Sequence, residues 1–383
     1  PDIPARGRFS PFLFNGIMFS TGGYSAEYGQ ALSSVLELKT HALAEESLAS
    51  VSLLNVGAGL GYTHRFDNSS FTAEADYSNL TPFFAMARHN LDWEKVPESF
   101  SGQFRYRKKT GKEGMIKSFL SYSNSNSRLN YINYSTGSKD KIGLGDESFF
   151  QSTTFNTGLG EKWIMKAGLA FNISKESFDI NTDEIIDRLR SYHAKISFNN
   201  YTGKNLTLKF GAETFNNQNE NRYYFGEIAE YYAQSFNDLL LAGYAESDIR
   251  LDKNLAVRIG VRSEYSTYIN RIRSAPRISL AYQIKKTSQF SFAFGSYFQH
   301  ADNDFLLYTD SLDFERAVHY ILNYQYSNNN RLFRIEAYHK KYHNLITYNG
   351  QSQTGYQLII NNGYGYADGI DIFWRDKETF SLG

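Results

Sequence analysis

The sequence has no cysteine, six prolines, three tryptophans and no excess of either charge, with 40 Lys and Arg against 40 Asp and Glu. The lack of cysteine excludes disulfide frameworks, thiolate nucleophiles and thiolate metal sites. Balanced charge offers no basic footprint for nucleic acid. No run of about 18 apolar residues occurs, so no transmembrane helix is expected. We therefore expect no cofactor, no metal centre and no nucleic acid partner.

Aromatic residues are what the chain has in abundance. There are 29 Tyr and 30 Phe among 383 residues, and hydrophobic residues make up 41%. That content is too apolar for a disordered chain, while a mean hydropathy of −0.48 argues against a helical membrane bundle. Length alone fits either two or three soluble domains or one large all-β body.

From about residue 47 onward, apolar and polar residues alternate with a period of two. In Leu255–Tyr265 the apolar set is opposed by charged residues, alanine and glycine. Such a pattern predicts strands that separate an apolar from an aqueous environment. About sixteen strands of about ten residues are predicted, longer than the usual five or six. They are expected near 47–54, 56–66, 70–80, 100–109, 113–123, 149–159, 162–173, 188–201, 205–216, 234–251, 255–266, 274–285, 289–299, 313–327, 331–343 and 363–375.

The connections between these strands alternate in length. Short polar turns such as Thr110-Gly111-Lys112 and Thr202-Gly203-Lys204 lie on one side. Longer stretches without clean alternation, expected to be loops, occupy 81–99, 124–148, 174–187, 217–233, 300–312 and 344–362. This arrangement predicts an antiparallel meander that crosses a slab repeatedly.

Strand length and alternation together predict a transmembrane β-barrel. A spanning strand needs about 9 to 11 residues, and a sheet in lipid must close because an open edge leaves backbone groups unpaired. Aromatic clusters at strand ends are expected to form interfacial girdles, namely Tyr223-Tyr224-Phe225, Tyr231-Tyr232, and Tyr364 with Tyr366. The alternative is a soluble β-solenoid or a set of sandwiches, which would turn every 8 to 12 residues on both sides.

The first 40 residues differ from the rest and carry a recognisable motif. Asp2–Pro11 is followed by Ser20–Val35, with Gly22-Gly23-Tyr24-Ser25-Ala26-Glu27-Tyr28-Gly29 at its centre. This sequence resembles the end of the plug domain in TonB-dependent outer-membrane receptors. The closing Gly363–Asp371 strand and the Tyr- and Asn-rich style look most like receptors of Bacteroidetes-type bacteria.

The resemblance implies a plug inside a barrel of about 22 strands. We then expect residues 1–40 to be the C-terminal part of the plug and residues 41–383 to be a truncated barrel, so that the chain is a fragment. The early plug and the energy-coupling box are missing from it, as are about six strands after Gly383. The implied partners are the inner-membrane TonB complex, outer-membrane lipid, a small nutrient ligand and a surface lipoprotein lid.

Four plug residues are expected to contact the barrel. Gly22, Gly23 and Gly29 permit positive φ and close backbone approach. Glu27 is predicted either to pair with a lumenal arginine, Arg258 or Arg262, or to lie in a solvated turn.

No catalytic constellation is found among the titratable residues. His339 and His343 are about 13 Å apart on a strand and so do not share a metal ion. Asp302, Asp304, Asp310 and Asp313 are oxygen ligands in one loop, but they lack EF-hand spacing, which favours a solvated acidic loop. Gly57, Gly59 and Gly61 lie on a strand without a following helix and form no phosphate cradle.

The hypothesis is a non-enzymatic receptor that binds a siderophore-iron complex, glycan or peptide at extracellular loops and imports it with TonB energy. Candidate ligand-binding residues are Arg222, Tyr223, Tyr224, Asp302 and Asp304, against the alternative of generic hydrated loops. Two other classes stay open. One is a passive porin or a secretion or adhesion barrel whose loops 124–148 and 217–233 bind a protein. The other is an outer-membrane enzyme with a Ser-His or Asp-His pair at its rim.

Overall fold

The computed structural model describes residues 13–87, 91–133, 137–352 and 355–377. The Asp2–Pro11 part of the N-terminal motif and the terminal Ser381–Gly383 lie outside these residues. The described chain forms 18 strands and two short helices, α1 (Thr81–Met86) and α2 (Asn303–Leu306). Neither of these helices is long and apolar enough to cross a membrane.

Two separate sheets make up the structure. Strands β1 (Phe14–Ser20) and β2 (Val35–Thr40) form an antiparallel hairpin. The other 16 strands form one antiparallel sheet in which each strand pairs with its neighbours along the chain. These are β3 Leu48–Leu54, β4 Gly57–Arg65, β5 Ser69–Asn79, β6 Asp92–Thr110, β7 Gly114–Ile132, β8 Lys139–Leu159, β9 Trp163–Ile180, β10 Asp183–Thr202, β11 Leu206–Phe225, β12 Glu230–Arg250, β13 Leu255–Ser266, β14 Arg271–Lys285, β15 Ser288–Gln299, β16 Glu315–Asn328, β17 Arg331–Ser352 and β18 Gly355–Asp376.

The predicted meander of sixteen strands is confirmed, and so are its short turns. The connections after β4, β6, β8, β10, β12, β14 and β16 are all brief, and this side of the sheet is called the short-turn end. Gly111, Gly160 and Gly203 occupy three of these turns with φ of 62°, 71° and 71°. A residue without Cβ adopts this left-handed conformation at no steric cost, which explains why glycine marks these turns.

The opposite side, called the hairpin end, differs from the prediction. Most stretches expected to be loops are continuous strand pairs: β9 and β10 pair up to Ile180 and Asp183, and β11 and β12 pair up to Phe225 and Glu230. The strands continue because cross-strand hydrogen bonds satisfy the backbone whether or not one face is apolar. Among the predicted loops, residues 300–314 remain a folded connection that contains α2, called here the mouth loop.

Strand length varies around the sheet. Strands β6–β12 have 18 to 21 residues, whereas β13–β16 have 12 to 15. A 20-residue strand is about 66 Å long, which at a tilt of about 45° far exceeds an apolar band about 25 Å tall. The tall part of the wall therefore projects well beyond such a band at the hairpin end.

An aromatic row marks the short-turn edge of the outer face. Phe290, Tyr324, Phe333 and Trp374 follow one another across β15 to β18, with ring centroids 4.9, 6.5 and 5.9 Å apart. The outward Tyr364 on β18 is 87% exposed. It lies ten residues from Trp374, which is about 23 Å along the membrane normal on a tilted strand. On β18 the outer face thus carries aromatic residues at both boundaries of such a band.

The girdle predicted at Tyr223-Tyr224-Phe225 and Tyr231-Tyr232 is wrong. Tyr223 is 17 residues beyond Leu206, where β11 leaves the short-turn end. That distance is about 56 Å along the strand. These tyrosines therefore form the tip of a projecting hairpin rather than a belt at the interface.

Within the described residues, the sheet is not closed between β3 and β18, which each pair on one side only. The inner face of the curved sheet holds two packed regions. One is the mouth loop, with Leu306, Leu312 and Phe314 fully buried against Phe236 and Leu240 of β12. The other is the N-terminal segment, residues 13–40, whose Tyr24 packs on the buried Tyr297.

Candidate functional site

The N-terminal segment lies against the inner face of the wall and is held largely by its own backbone. Arg277 on β14 donates from Nη1 to the carbonyls of Tyr24 (3.3 Å), Ser25 and Tyr28 (2.8 Å). The guanidinium also lies 5.0 Å from the ring centroid of Tyr24 and 4.5 Å from that of Tyr297. Carbonyl hydrogen bonds and cation–π contacts from one buried arginine thus fix the centre of the segment.

Other wall residues bind neighbouring carbonyls in the same way. His319 Nε2 lies 2.8 Å from the Leu32 carbonyl, and Lys340 Nζ donates to the carbonyls of Thr21 and Ser33 at 2.5 and 3.2 Å. Lys117 Nζ binds the Thr40 carbonyl at 2.9 Å, and Glu246 accepts from the amide of Ala26 at 2.8 Å. Because the central part of the segment has little secondary structure of its own, these side chains satisfy backbone groups that would otherwise be buried unpaired.

The carboxylate of Glu27 forms no ion pair with either predicted arginine. Its carboxylate lies 3.7 Å from Lys195 on β10, and its carbonyl accepts from Lys195 at 3.0 Å and from Arg262 at 3.4 Å. Arg258 instead forms ion pairs with Asp248 and Glu246. A wall cation does meet Glu27, but it is a lysine on β10, three strands from the predicted arginines on β13.

The three predicted contact glycines all lie against the wall. A Cβ on Gly22 would be 2.5 Å from Ile321 Cδ1 and 2.9 Å from His319 Nδ1, and one on Gly29 would clash with Arg262 and Glu264. Gly23 has φ of 65° and lies against Ala293. Close approach at Gly22 and Gly29, and a left-handed turn at Gly23, therefore require the smallest residue.

A buried charge network lies directly beneath Gly29. Arg262 is 1% exposed, and it donates to Glu264 and to Glu213 at 2.8 Å each. Glu213 also meets His193 at 2.8 Å and lies 3.8 Å from Lys195. Buried charges of this kind are tolerated only when they are fully paired, so this part of the wall is rigid where the segment rests on it.

Burial also changes the pKa of Tyr24 in the N-terminal segment. Desolvation raises the pKa of Tyr24 well above its ordinary value, although the nearby Arg277 opposes this rise. Its hydroxyl therefore stays protonated and donates to the Ala31 carbonyl at 2.5 Å. This bond closes the loop between residues 24 and 31.

The predicted ligand residues on β11 do not form one cluster. The side chains of Arg222 and Tyr224 lie on the outer face, where Arg222 pairs with Glu220. Tyr223 lies on the inner face, with its ring 6.3 Å from that of Tyr232. Tyr223 therefore faces away from Arg222 and Tyr224, because consecutive residues of a strand point to opposite sides, and a role of these residues in ligand binding stays a prediction.

Asp302 and Asp304 lie in the mouth loop. Asp304 is close enough to Asp187 on β10 for their negative charges to interact. The loop is anchored from below, since the backbone amide of His300 donates to Gln30 Oε1 at 2.9 Å. Through these contacts the mouth loop connects the N-terminal segment to the hairpin end.

The side chain of His300 is largely buried. Burial lowers the pKa of His300, and the negative charge of Asp238 acts against this shift.

Side chains able to bind a metal ion do not form a cluster among the residues that the structure describes. No set of three or more His, Asp or Glu side chains there is placed to hold a metal ion. His339 is hydrogen-bonded to Asp368 of the neighbouring strand. His339 and His343 lie four residues apart on the same strand, β17.

A cavity of about 810 Å³ opens at the hairpin end, along the inner face of β4 to β10. Its wall includes the acidic residues Asp146, Glu176 and Asp187, which were not among the predicted site residues. Their strand parity is visible in the sequence, but the register that aligns them across three strands is not.

The chain is similar to known proteins in both sequence and fold. A family model described as "TonB dependent receptor-like, beta-barrel" matches residues 51–383. No curated protein sequence matches the chain. The siderophore receptor PirA from Pseudomonas aeruginosa is similar in fold, with a TM-score of 0.68 and 11% identity over 93% of this chain and 68% of that one.

Two further solved structures share the fold. The ferric yersiniabactin uptake receptor FyuA from Yersinia pestis has a TM-score of 0.68 and 10% identity, covering 92% of this chain and 61% of its own. The RagAB peptide transporter has a TM-score of 0.62 and 10% identity, covering 82% and 48%. The chain thus spans between about half and two thirds of the length of these proteins. By its sequence match and its fold, the chain belongs to the TonB-dependent receptors, whose β-barrels lie in the outer membrane of Gram-negative bacteria.

Proposed function

We propose that the protein binds a scarce nutrient at its hairpin end, on the cell surface, and imports it with energy transmitted through TonB. Siderophore-bound iron, a glycan and a peptide are the substrate classes in view. In this proposal residues 1–40 are the last part of a plug, and residues 41–383 belong to the barrel. The protein acts as a transporter and carries out no chemical step.

One observation carries the proposal: the N-terminal segment is bound to the lumenal wall through its main chain. Hydrogen bonds to charged donors such as Arg277 and Lys340 contribute about 1.5–3 kcal/mol each. Their combined strength makes spontaneous release rare, so passage of a ligand requires work. A passive porin would need an open lumen, and this segment argues against one.

The proposal is tested by uptake in cells. A strain that lacks the complete gene is complemented with the intact gene and grown on limiting iron, glycan or peptide, with the TonB complex present or deleted. The expected result is a growth advantage that requires both the gene and the TonB complex. Uptake that persists without the complex would contradict the proposal and favour a porin.

Two partners belong to the same proposal. The inner-membrane TonB complex is expected to act on the plug, and a surface lipoprotein is expected to cover the mouth. Co-purification of the full-length protein from its own membrane tests both. The Bacteroidetes-type origin suggested by the sequence remains a prediction.

A further inference from the structure

The cavity at the hairpin end contains an in-register row of carboxylates. Glu176 on β9 is the direct cross-strand partner of Asp146 on β8 and of Asp187 on β10. Adjacent strands are about 4.8 Å apart, so these like charges are immediate neighbours. Asp304 of the mouth loop is close enough to Asp187 to add its negative charge to the row. Like charges directly opposite one another destabilise a sheet, so this row is costly when it is empty.

The polar groups around this row are not fully paired. Within the described part of the chain, Glu176 makes no hydrogen bond or ion pair, although it is exposed to the cavity. Asn221 on β11 ends the row and donates to Asp187. Its side chain is only 7% exposed, yet its Oδ1 accepts no hydrogen bond. Next to the carboxylate row, this buried acceptor therefore lacks a donor.

A second row, of apolar side chains, runs parallel to the first. Leu144, Phe178 and Ile185 are cross-strand neighbours, two residues nearer the hairpin tips, and they line the same cavity. Two residues along a strand correspond to about 6.8 Å. The surface thus presents negative charge and apolar area at a fixed spacing.

Charge is segregated between the two faces of these strands. Over the hairpin-end halves of β7–β11 that the structure describes, Lys and Arg occur only on the outer face. They are Arg128, Lys139, Lys141, Lys175, Arg188, Arg190 and Arg222. The inner face repels anions and, in the absence of competing basic residues, attracts cations.

From these observations we propose that the cavity binds a cationic, amine- or guanidinium-bearing ligand whose charged group meets Glu176 and its neighbours while an apolar group packs on Phe178. This inference rests on the proposed function, because it names the substrate class that the receptor takes up. An anionic iron chelate does not fit this surface. The volume of about 810 Å³ lies in the usual range for small-ligand sites, about 300–1,000 Å³.

Binding to the purified full-length protein tests the proposal. The probe is the peptide amide Lys-Gly-Phe, whose charged and aromatic side chains lie on one side at about the spacing of the two rows when extended. Both peptides are N-acetylated, so that the comparison, Glu-Gly-Phe amide, carries no amine. Calorimetric titration should show binding of the first that weakens with added salt, and binding of the second at least tenfold weaker. Equal binding of the two peptides would overturn the proposal.

Two isosteric variants separate the site from general surface charge. Glu176→Gln should weaken binding of the cationic peptide about tenfold, the loss expected for one charged hydrogen bond. Glu147→Gln makes the same change on the outer face, beside Asp146 in sequence, and should leave affinity unchanged. Without peptide, Glu176→Gln should not lower the melting temperature, since it relieves repulsion. Equal losses of affinity in both variants, or a destabilised Glu176→Gln, would contradict the assignment.

The two proposals fail in different ways. Cationic peptide binding that depends on Glu176, combined with uptake that ignores the TonB complex, would refute energised import and leave the site intact. TonB-dependent uptake, combined with no preference for the cationic peptide, would refute the site and leave the transport function intact.

Discussion

Gly29→Ala should detach the N-terminal segment from the barrel wall. The added Cβ would clash with Arg262 Nε and Glu264 Oε1, which form a buried ion pair. To restore ordinary contact, the segment or the pair must move by about 1 Å. Neither moves freely, since Arg262 is 1% exposed and is also tied to Glu213.

The cost follows from these contacts. Overpacking a rigid site costs about 1–3 kcal/mol, and weakening one hydrogen bond to a charged group adds up to about 1.5–3 kcal/mol. A loss of about 2–4 kcal/mol in docking corresponds to hydrogen exchange about 30- to 800-fold faster. Backbone strain does not contribute, because Gly29 has no left-handed φ.

The assay is hydrogen exchange of the segment in the purified full-length protein. Gly16→Ala is the matched control, because a Cβ there would meet nothing within 4 Å. Heat-modifiable migration on a denaturing gel reports separately that the barrel remains folded. Wild-type protection in Gly29→Ala, or equal loss of protection in Gly16→Ala, would refute the steric argument.

Three further predictions concern the same interior. Arg277→Lys keeps the charge but loses the forked guanidinium group. We expect faster hydrogen exchange in the N-terminal segment, equivalent to a loss of about 1.5–3 kcal/mol in docking. Unchanged hydrogen exchange would contradict the role of the guanidinium group. Leu306→Ala, at a side chain with 0% exposure, should cost about 2–5 kcal/mol and release the mouth loop. Ser311→Ala, at an exposed residue of the same loop, should leave the loop in place. The two variants are compared by their rates of proteolysis. Because burial lowers the pKa of His300 against the opposing charge of Asp238, the docked loop favours the neutral ring. Docking should therefore be strongest above about pH 6.5 and weaken as the pH falls below it, where the undocked chain binds the extra proton. Hydrogen exchange of the mouth loop at about pH 8 and pH 5, corrected for intrinsic rates, tests this pH dependence. Tighter docking at the lower pH would refute it.

The strands could be predicted because lipid outside and water inside impose a period of two on the sequence. Leu255–Tyr265 shows this clearly, and it lies in β13, whose bounds match the predicted strand 255–266. The hairpin ends could not be predicted in this way, because both faces of the projecting strands meet water. The run Ser123–Ser127 in β7 alternates only Ser and Asn, so hydrophobic periodicity carries no signal there although the backbone pairing continues.

The site was only partly predictable, for a related reason. Strand parity places Arg262 on the aqueous face, but which wall residue meets Glu27 depends on how the segment lies across several strands. Lys195 comes from a distant part of the chain, and no local pattern marks it as the partner. The same holds for Glu176, whose neighbours are set by the register of two hairpins.

The wall holds the segment mainly by its carbonyl oxygens, and this has a mechanical consequence. Lys340 binds the carbonyls of both Thr21 and Ser33, and Arg277, Arg262 and His319 bind carbonyls of the loop between them. Because Lys340 ties both ends of this loop and β1 pairs with β2 at its base, a pull on the segment loads these contacts together, and the peak force depends on several of them at once. Because most of these contacts are made to the main chain, the same pull meets similar resistance when other side chains of the segment are exchanged, provided that Tyr24 is kept and that Gly22 and Gly29 stay small.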